Sequence, residues 1–159
     1  MSVIDYPIVT ILRSDNKLSG NNSNYSINFN FTYSLNKYRY LHGKLIDIVL
    51  PHTISGGVST DNTYSHCDVR INGVSFLNNC DSNTIGQSIG FFKNKQYSIN
   101  GTFCIEDVIG YDFIMENPQE KNINVVFNFL DSSGTAVSYT CNINILVFEF
   151  KPYFLNDVI

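Results

Sequence analysis

The sequence predicts an all-β globular domain, and two stretches near the C-terminus provide most of that prediction. Apolar and polar residues alternate from 123 to 129, and the alternation returns from 137 to 147 after the turn-forming residues Asp-Ser-Ser-Gly. A period of two is what a half-buried strand requires, because successive side chains point to opposite faces. Turn signals recur about every ten residues, a spacing typical of a sandwich or barrel. We therefore expect about eight antiparallel strands, with the last two paired as a long ribbon.

The last predicted strand changes its pattern at Leu146. Leu146, Phe148 and Phe150 are apolar on the face that had been polar, and Glu149 falls on the opposite face. Either this end of the strand is covered on both faces or a bulge switches its register there.

Strands are also predicted in the first third of the chain. Alternation over 25–31 follows a polar loop, and an apolar strand over 40–50 ends at Pro51, which cannot donate to a sheet. The apolar segment 4–12 is either an edge strand or an arm that reaches onto a neighbouring chain.

The middle of the chain is predicted to hold a long exposed loop followed by short strands. Residues 52–65 are mostly small and polar. Asn72-Gly73 predicts a tight hairpin that pairs 69–71 with 74–76. The remaining segments are interpreted as two strands (85–92 and 96–99), a short helix or covering loop (105–111) and a connection (116–120).

The composition favours one packed domain with surfaces that contact other proteins. The 159 residues are 43% hydrophobic and 14% aromatic but only 15% charged, against a typical charged share of about 25%. Few charges and many aromatic side chains argue against disorder. We expect a single domain over residues 1–159, because the chain shows neither a repeat nor an internal boundary.

Charge and hydropathy argue against nucleic-acid and membrane partners. The net charge is −4 and no two basic residues are adjacent, whereas nucleic-acid binding needs a basic stripe that neutralises phosphates. The N-terminus lacks the features of a signal peptide, and no apolar run approaches the ~18 residues of a membrane span. We therefore expect a soluble chain that is made in a cytosol.

Asparagine is unusually frequent, with 21 copies in the chain. Some copies suit turns, but many fall on the polar faces of predicted strands, where asparagine is disfavoured. An AT-rich genome explains this excess without any functional role.

Catalytic and metal-binding patterns are weak. His66-Cys67-Asp68 places three reactive side chains together, but neighbours on a strand point to opposite faces, so a structural junction is the preferred interpretation. Cys141 falls on the apolar face of its strand and is expected in the core. The other groups considered were the scattered histidines His42, His52 and His66, the four cysteines Cys67, Cys80, Cys104 and Cys141, and the acidic residues Glu106, Asp107, Asp112 and Glu116.

None of these groups has the ligand spacing of a zinc or calcium site, and no nucleophile elbow or phosphate-binding loop occurs. Disulfides are not expected in a reducing compartment. The sequence therefore predicts no enzyme, no catalytic residue, no cofactor and no metal site. Tyr38, Tyr40 and Tyr64 are interpreted as exposed aromatic residues that could form a sugar-stacking platform.

Three segments together resemble a known family. They are SGNNSNYSINF (19–29), LIDIVLPHTI (45–54), and Asn117-Pro118 followed by the alternating strands and Asp-Ser-Ser-Gly turn that end at Phe150. In order and spacing they resemble the small single jelly-roll capsid proteins of virophages, polinton-like viruses and large DNA viruses. That family includes penton and minor capsid proteins. It often has a short helix after an early strand, and this sequence shows no clear one.

The resemblance implies a single jelly-roll β-sandwich that assembles as a homopentamer at the vertices of an icosahedral capsid. The partners of such a protein would be other copies of the same chain and capsomers of the major capsid protein. It would be made in the host cytoplasm and located in the virion. The segments 1–12 and 151–159, with apolar Leu155, Val158 and Ile159, are candidate docking arms or fold back on their own domain. The alternatives are a minor or cement capsid protein of the same fold, and a carbohydrate-binding β-sandwich module.

Overall fold

Two antiparallel β-sheets form the described part of the protein. The computed structural model describes residues 7–29, 31, 33–50, 54–55, 58–59, 64–74, 87–93, 108–117, 122–139 and 141–154. Within these residues the chain is all-β, as the alternating pattern predicts, apart from a 3₁₀ turn at Ser14–Asn16 and one helical turn, α1, at Tyr33–Asn36.

Twelve strands lie in these residues, and eight of them are five residues or longer. The strands are β1 (Ile8–Arg13), β2 (Ser19–Asn21), β3 (Asn24–Asn28), β4 (Tyr40–Val49), β5 (Ile54–Ser55), β6 (Val58–Ser59), β7 (His66–Asn72), β8 (Gln87–Lys93), β9 (Val108–Gly110), β10 (Asp112–Glu116), β11 (Asn122–Leu130) and β12 (Ile145–Tyr153). One sheet has the order β1-β12-β4-β10 and the other β2-β3-β11-β7-β8-β9, while β5 and β6 form a separate ribbon.

The eight longer strands pair in a nested pattern. The first pairs with the last, β1 with β12, and inside that pair β3 meets β11, β4 meets β10 and β7 meets β8. Two further pairings, β12 with β4 and β11 with β7, join these hairpin-like units into the two sheets. Chain ends that are far apart in sequence therefore lie side by side at one edge of the four-stranded sheet.

The core lies between the two sheets and is rich in aromatic side chains. Phe29 of the six-stranded side packs edge-on against Phe150 of the four-stranded side, with ring centroids 5.2 Å apart. Strand β11 buries every second residue, as its alternation predicts. Burial of each such large side chain contributes roughly 1.5–3 kcal/mol. Because both sheets supply these rings, the two sheets stabilise each other.

The predicted C-terminal ribbon is wrong. Strands β11 and β12 belong to different sheets, and only an isolated bridge between Leu130 and Ala136 continues from β11. Buried positions change from odd to even numbers between Cys141 and Asn144, where Asn142 and Ile143 are exposed. The chain crosses from one sheet to the other at this point. The pattern changes at Leu146 because β12 belongs to the other sheet, and not because β12 contains a bulge. The pairing of β12 with β4 does contain a bulge, but its extra residue lies in β4.

A cluster of buried polar groups holds this crossing in place; we call it the polar node (Ser14, Ser23, Tyr25, Cys141 and Asn144). The Tyr25 hydroxyl donates to Asn144 Oδ1 at 3.0 Å, and Asn144 N donates to Ser14 Oγ at 2.9 Å. Cys141 N donates to Ser23 Oγ at 2.9 Å. Burial raises the pKa of the Tyr25 hydroxyl, which therefore remains a donor. The node ties the crossing to the turns next to β1 and β3.

Other sequence predictions need correction. Gly73 has a φ of 89°, as the predicted turn at Asn72-Gly73 requires, but residues 75 and 76 of the predicted hairpin lie outside the described residues. Residues 69–71 pair with other strands. Both edges of β7 are already occupied there, by β8 and by β11. Part of the segment interpreted as a helix or covering loop forms strand β9, and β10 was missed because charged residues lie at both of its ends. Helix α1 was missed because one turn is too short to show a helical period.

Candidate interaction surface

An exposed apolar strip crosses the outer face of the four-stranded sheet. We call it the aliphatic strip: Val9 and Ile11 of β1, Ile145 and Val147 of β12, and Val49 of β4. Ile11 lies directly opposite Val147, and Ile145 lies opposite Val49, so the strip is continuous over three strands. Val9 is 53% exposed and Ile11 58% exposed. Contiguous exposed apolar surface of this kind marks interaction sites on soluble proteins.

Charged side chains border the aliphatic strip on the same face. Asp112 of β10, Lys44 of β4 and Glu149 of β12 lie side by side in one row that ends at Val9. In the next row His42 Nε2 lies 3.3 Å from Asp112 Oδ1. Partial burial lowers the pKa of His42, and the carboxylate of Asp112 offsets only part of this effect. The aliphatic strip is therefore bordered by this charged row on one side, and Arg13 and Asp47 lie directly opposite Ile145 and Val147 on the same face.

Strand β1 is an edge of the four-stranded sheet in the described part of the chain, next to the aliphatic strip. Among the described strands it pairs only with β12, and its sequence Ile-Val-Thr-Ile-Leu-Arg has no charge before Arg13. The two edge strands of the other sheet, β2 and β9, have only three residues each. Short strands and charges are the usual ways to protect an edge from pairing with another chain. Strand β1 has neither protection over most of its length.

The opposite edge of the same sheet, strand β10, is acidic. Asp112 and Glu116 lie at its two ends, and both face outward with Ile114. Glu116 Oε1 accepts from Arg39 Nε at 3.4 Å, with both side chains well exposed. The two edges of the four-stranded sheet thus differ in their charged residues, since β1 ends in Arg13, which pairs with Asp15 at 2.9 Å, and β10 has two acids.

The outer face of the six-stranded sheet is mostly uncharged and polar around β3 and β11. An amide row (Asn24, Asn72 and Asn124) crosses this face. Asn72 Nδ2 donates to Asn124 Oδ1 at 3.3 Å, and Asn124 Nδ2 donates to Asn24 Oδ1 at 3.1 Å. These polar side chains hydrogen-bond to one another and can also hydrogen-bond to solvent. The aliphatic side chains of the strip can do neither.

The His66-Cys67-Asp68 group is divided between the two faces of β7, as the interpretation of a strand predicts. Cys67 is fully buried in the core, and burial raises the pKa of its thiol well above the usual value. Asp68 lies on the other face, where its Oδ2 accepts from Arg70 Nε at 2.7 Å and its Oδ1 accepts from the Ser88 hydroxyl. A protonated core thiol separated from its histidine is not an activated nucleophile.

The tyrosine platform is wrong. Tyr64 is 3% exposed and packs against Phe129, with ring centroids 4.7 Å apart. Tyr38 is also buried and packs against Phe154 at the other end of β12, while Tyr40 is half-buried. Because the Tyr38 and Tyr64 rings belong to the core, the three tyrosines do not form a common exposed face that could stack on a sugar.

The structure separates the remaining candidate residues. His42 and His66 belong to different sheets, and the described residues contain no group of three or more His, Cys, Asp or Glu arranged to hold a metal ion. Cys67 and Cys141 are both buried and are not joined in a disulfide, and the burial of Cys141 confirms the core position predicted for it. His52, Cys80, Cys104, Glu106 and Asp107 lie outside the described residues, as do 1–6 and 155–159 of the two candidate arms.

Sequence reasoning did not identify the aliphatic strip as a site, although a signal was present. Residues 8–12 are apolar or weakly polar on both faces of the strand, and Ile145 and Val147 share this property with Leu146 and Phe148. One face of such a strand packs on the core, and the other face is apolar enough to need a second contact.

Comparisons with protein-family models, curated proteins and solved structures give no match to this chain. In the described part of the chain, no helix has the length and apolar character to cross a membrane.

Proposed function

We propose that this chain is a structural protein of an icosahedral viral capsid, a penton protein that forms the pentameric vertex. The observation that carries the proposal is the nested pairing of the eight longer strands, first with last through to the innermost hairpin. This nesting, divided into the orders β1-β12-β4-β10 and β3-β11-β7-β8, is the arrangement expected of a single jelly roll. Jelly rolls are found in viral capsid proteins, lectins and cupins.

The outer surface favours a capsid role over the other jelly-roll functions. Val9 and Ile11 are more than half exposed, next to an open strand edge. A chain that is only 15% charged and exposes such a strip suits an assembly with broad protein contacts. The resemblance of the sequence to small single jelly-roll capsid proteins supports the same function.

The proposed mechanism is geometric and needs no catalytic group. A contact between two different surfaces of the same chain, repeated around a fivefold axis, closes a ring of five copies. The ring would then dock to capsomers of the major capsid protein in the virion, after synthesis in the host cytoplasm. A minor or cement capsid protein of the same fold is the nearest variant. The carbohydrate-binding alternative is not favoured, because two tyrosines of its proposed platform are buried.

The first test is the mass of the purified chain by light scattering over a range of concentrations. The monomer mass is 18.0 kDa, and the penton proposal predicts a species of about five times that mass. Co-sedimentation with purified major capsid protein provides the second readout. A chain that stays monomeric at every concentration and does not bind capsomers contradicts the proposal. A monomer that binds capsomers supports the minor capsid variant.

A further inference from the structure

We propose that successive copies of this chain join by sheet extension, with β1 of one copy pairing antiparallel to β10 of the next. This inference rests on the proposed function, because it names the contact that closes the ring. It joins β1 and β10, the two edge strands of the four-stranded sheet among the described residues. The two strands differ in sequence, with one base in β1 and two acids in β10. The occupant of the β1 edge is therefore a second copy of this chain.

The directions of the strands fit this pairing. Each neighbour in the order β1-β12-β4-β10 is antiparallel to the next, so β1 and β10 of one copy run in opposite directions. When another copy is placed beside the sheet in the same orientation, its β1 lies antiparallel to β10. The alternation of directions then continues from one copy to the next without a break.

One register matches the faces of the two strands and places the base of β1 opposite an acid of β10, while the second acid, Glu116, lies opposite Val9. Arg13 of one copy lies opposite Asp112 of the next, and Ile11 lies opposite Ile114. These residues all face outward in their own strands. On the inner face the same register places Leu12 opposite Phe113 of the next copy, which are both buried. Opposite charges and paired apolar side chains directly across two strands each stabilise a sheet.

The exposure of the aliphatic strip supports a missing strand beside β1. Val147 and Ile145 lie on the same face as Val9 and Ile11 but have a strand on each side, and both are only partly exposed. Val9 and Ile11 have a described neighbour on one side only and are 53% and 58% exposed. A strand added next to β1 would cover their open side.

Pairing of β1 with a second β1 is the competing arrangement. It would place apolar residues opposite each other, but it would leave the acidic edge at Asp112 and Glu116 without a partner strand. It is also symmetric about a twofold axis, so it would close as a dimer rather than a ring. The charge difference between the two edges therefore favours pairing of β1 with β10.

Disulfide cross-linking of two single variants, Ile11→Cys and Ile114→Cys, tests the contact. Directly opposite Cβ atoms are about 4.5–5.5 Å apart, close to the separation of about 3.5–4.5 Å that a disulfide needs. Each variant alone should remain uncross-linked under mild oxidation, and an equimolar mixture should give a covalent dimer. The unsubstituted chain controls for native cysteines. Asn24→Cys mixed with Ile114→Cys is the matched control, because Asn24 is exposed but belongs to the six-stranded sheet.

The outcomes separate this inference from the proposed function. Cross-linking of Ile11→Cys with itself would show pairing of two β1 strands and overturn the inference. A pentamer by light scattering without cross-linking in the mixture would also overturn it, while the penton proposal stands. A monomer that neither cross-links nor binds capsomers would contradict both.

A charge exchange gives a second test. All its variants are made in a chain that carries Asp15→Asn, because Arg13 pairs with Asp15 of its own copy at 2.9 Å. Arg13→Glu alone should place two acids opposite each other and weaken ring formation, and Asp112→Arg alone should do the same with two bases. The double variant restores opposite charges across the contact and should recover the pentamer mass. If the double variant assembles no better than the single ones, Arg13 and Asp112 do not face each other between copies and the proposed register is wrong.

Discussion

Asparagine has opposite roles in two regions of this molecule. In the polar node Asn144 is fully buried, and its side chain accepts from Tyr25 and donates to the carbonyl oxygen of Asn22 at 2.7 Å. In the amide row Asn24 is exposed, and its side-chain oxygen accepts one hydrogen bond from Asn124. Water can replace the exposed bond but not the buried ones. The comparison teaches that burial, rather than residue type, decides which asparagines this fold requires.

The largest effect is expected for Asn144→Ala. The change leaves the buried Tyr25 hydroxyl without its acceptor, and the Asn22 carbonyl keeps only the weaker bond from Cys141 Sγ. A buried group that loses its partner is costly. We expect the free energy of unfolding to fall by about 2–4 kcal/mol. Urea unfolding followed by circular dichroism measures the loss. A change below about 0.5 kcal/mol would mean that the node does not stabilise the crossing.

A smaller loss is expected for Ser14→Ala. Ser14 Oγ accepts from Asn144 N at 2.9 Å, while the bond from Ser14 N to the Asn144 carbonyl is unaffected. Since one of the two reciprocal bonds remains, we expect a loss of about 1–2 kcal/mol in the same unfolding experiment. A loss equal to that of Asn144→Ala would show that the node acts as one unit rather than as separable bonds.

The side chain of His42 is 27% exposed, so it is less buried than Asn144 and more buried than Asn24. Its pKa is lowered in the fold, chiefly by burial, so below pH ~6.5 the unfolded chain binds more protons than the folded one. Stability should therefore fall as the pH decreases from about 6.5 towards the lowered pKa of the folded state. We expect a loss smaller than that of Ser14→Ala. His42→Gln should remove this part of the pH dependence, and an unchanged slope would contradict the assignment.

The smallest effect is expected for Asn24→Ala, the matched control for Asn144→Ala. The two variants remove the same chemical group, but the Asn24 side chain lies at the exposed end of the amide row. We expect the free energy of unfolding to change by about 0.5 kcal/mol or less. A loss comparable to that of Asn144→Ala would mean that the amide row stabilises the sheet cooperatively.

Strands with a regular alternation were predictable from the sequence, and those with an interrupted pattern were not. Strand β11 is flanked by partners on both sides and keeps one buried face throughout, so its period is visible. The period over 137–147 suggested a pairing with β11 that does not occur. A period of two predicts which residues share a face, but it does not specify which strand lies alongside.

The candidate surface was predictable only in part. The sequence indicated that the end of the last strand could be covered on both faces, and Val147 and Ile145 indeed lie on an outer face that is apolar. It did not indicate that these residues meet Val9 and Ile11, more than a hundred positions away in the chain. The predicted tyrosine platform was wrong for the same reason, because burial depends on residues that are distant in sequence. Tyr64 is buried by Phe92 of β8 and Phe129 of β11.

The sequence by itself determined the all-β class, the position of most long strands, the low charge and the core position of Cys141. These properties depend on neighbouring residues and on composition, so local patterns reveal them. Only the tertiary structure decided that β11 and β12 separate at Asn144, that β1 is an open apolar edge and that one buried asparagine has a role its exposed counterparts lack. These features depend on contacts between distant segments, which no local period encodes.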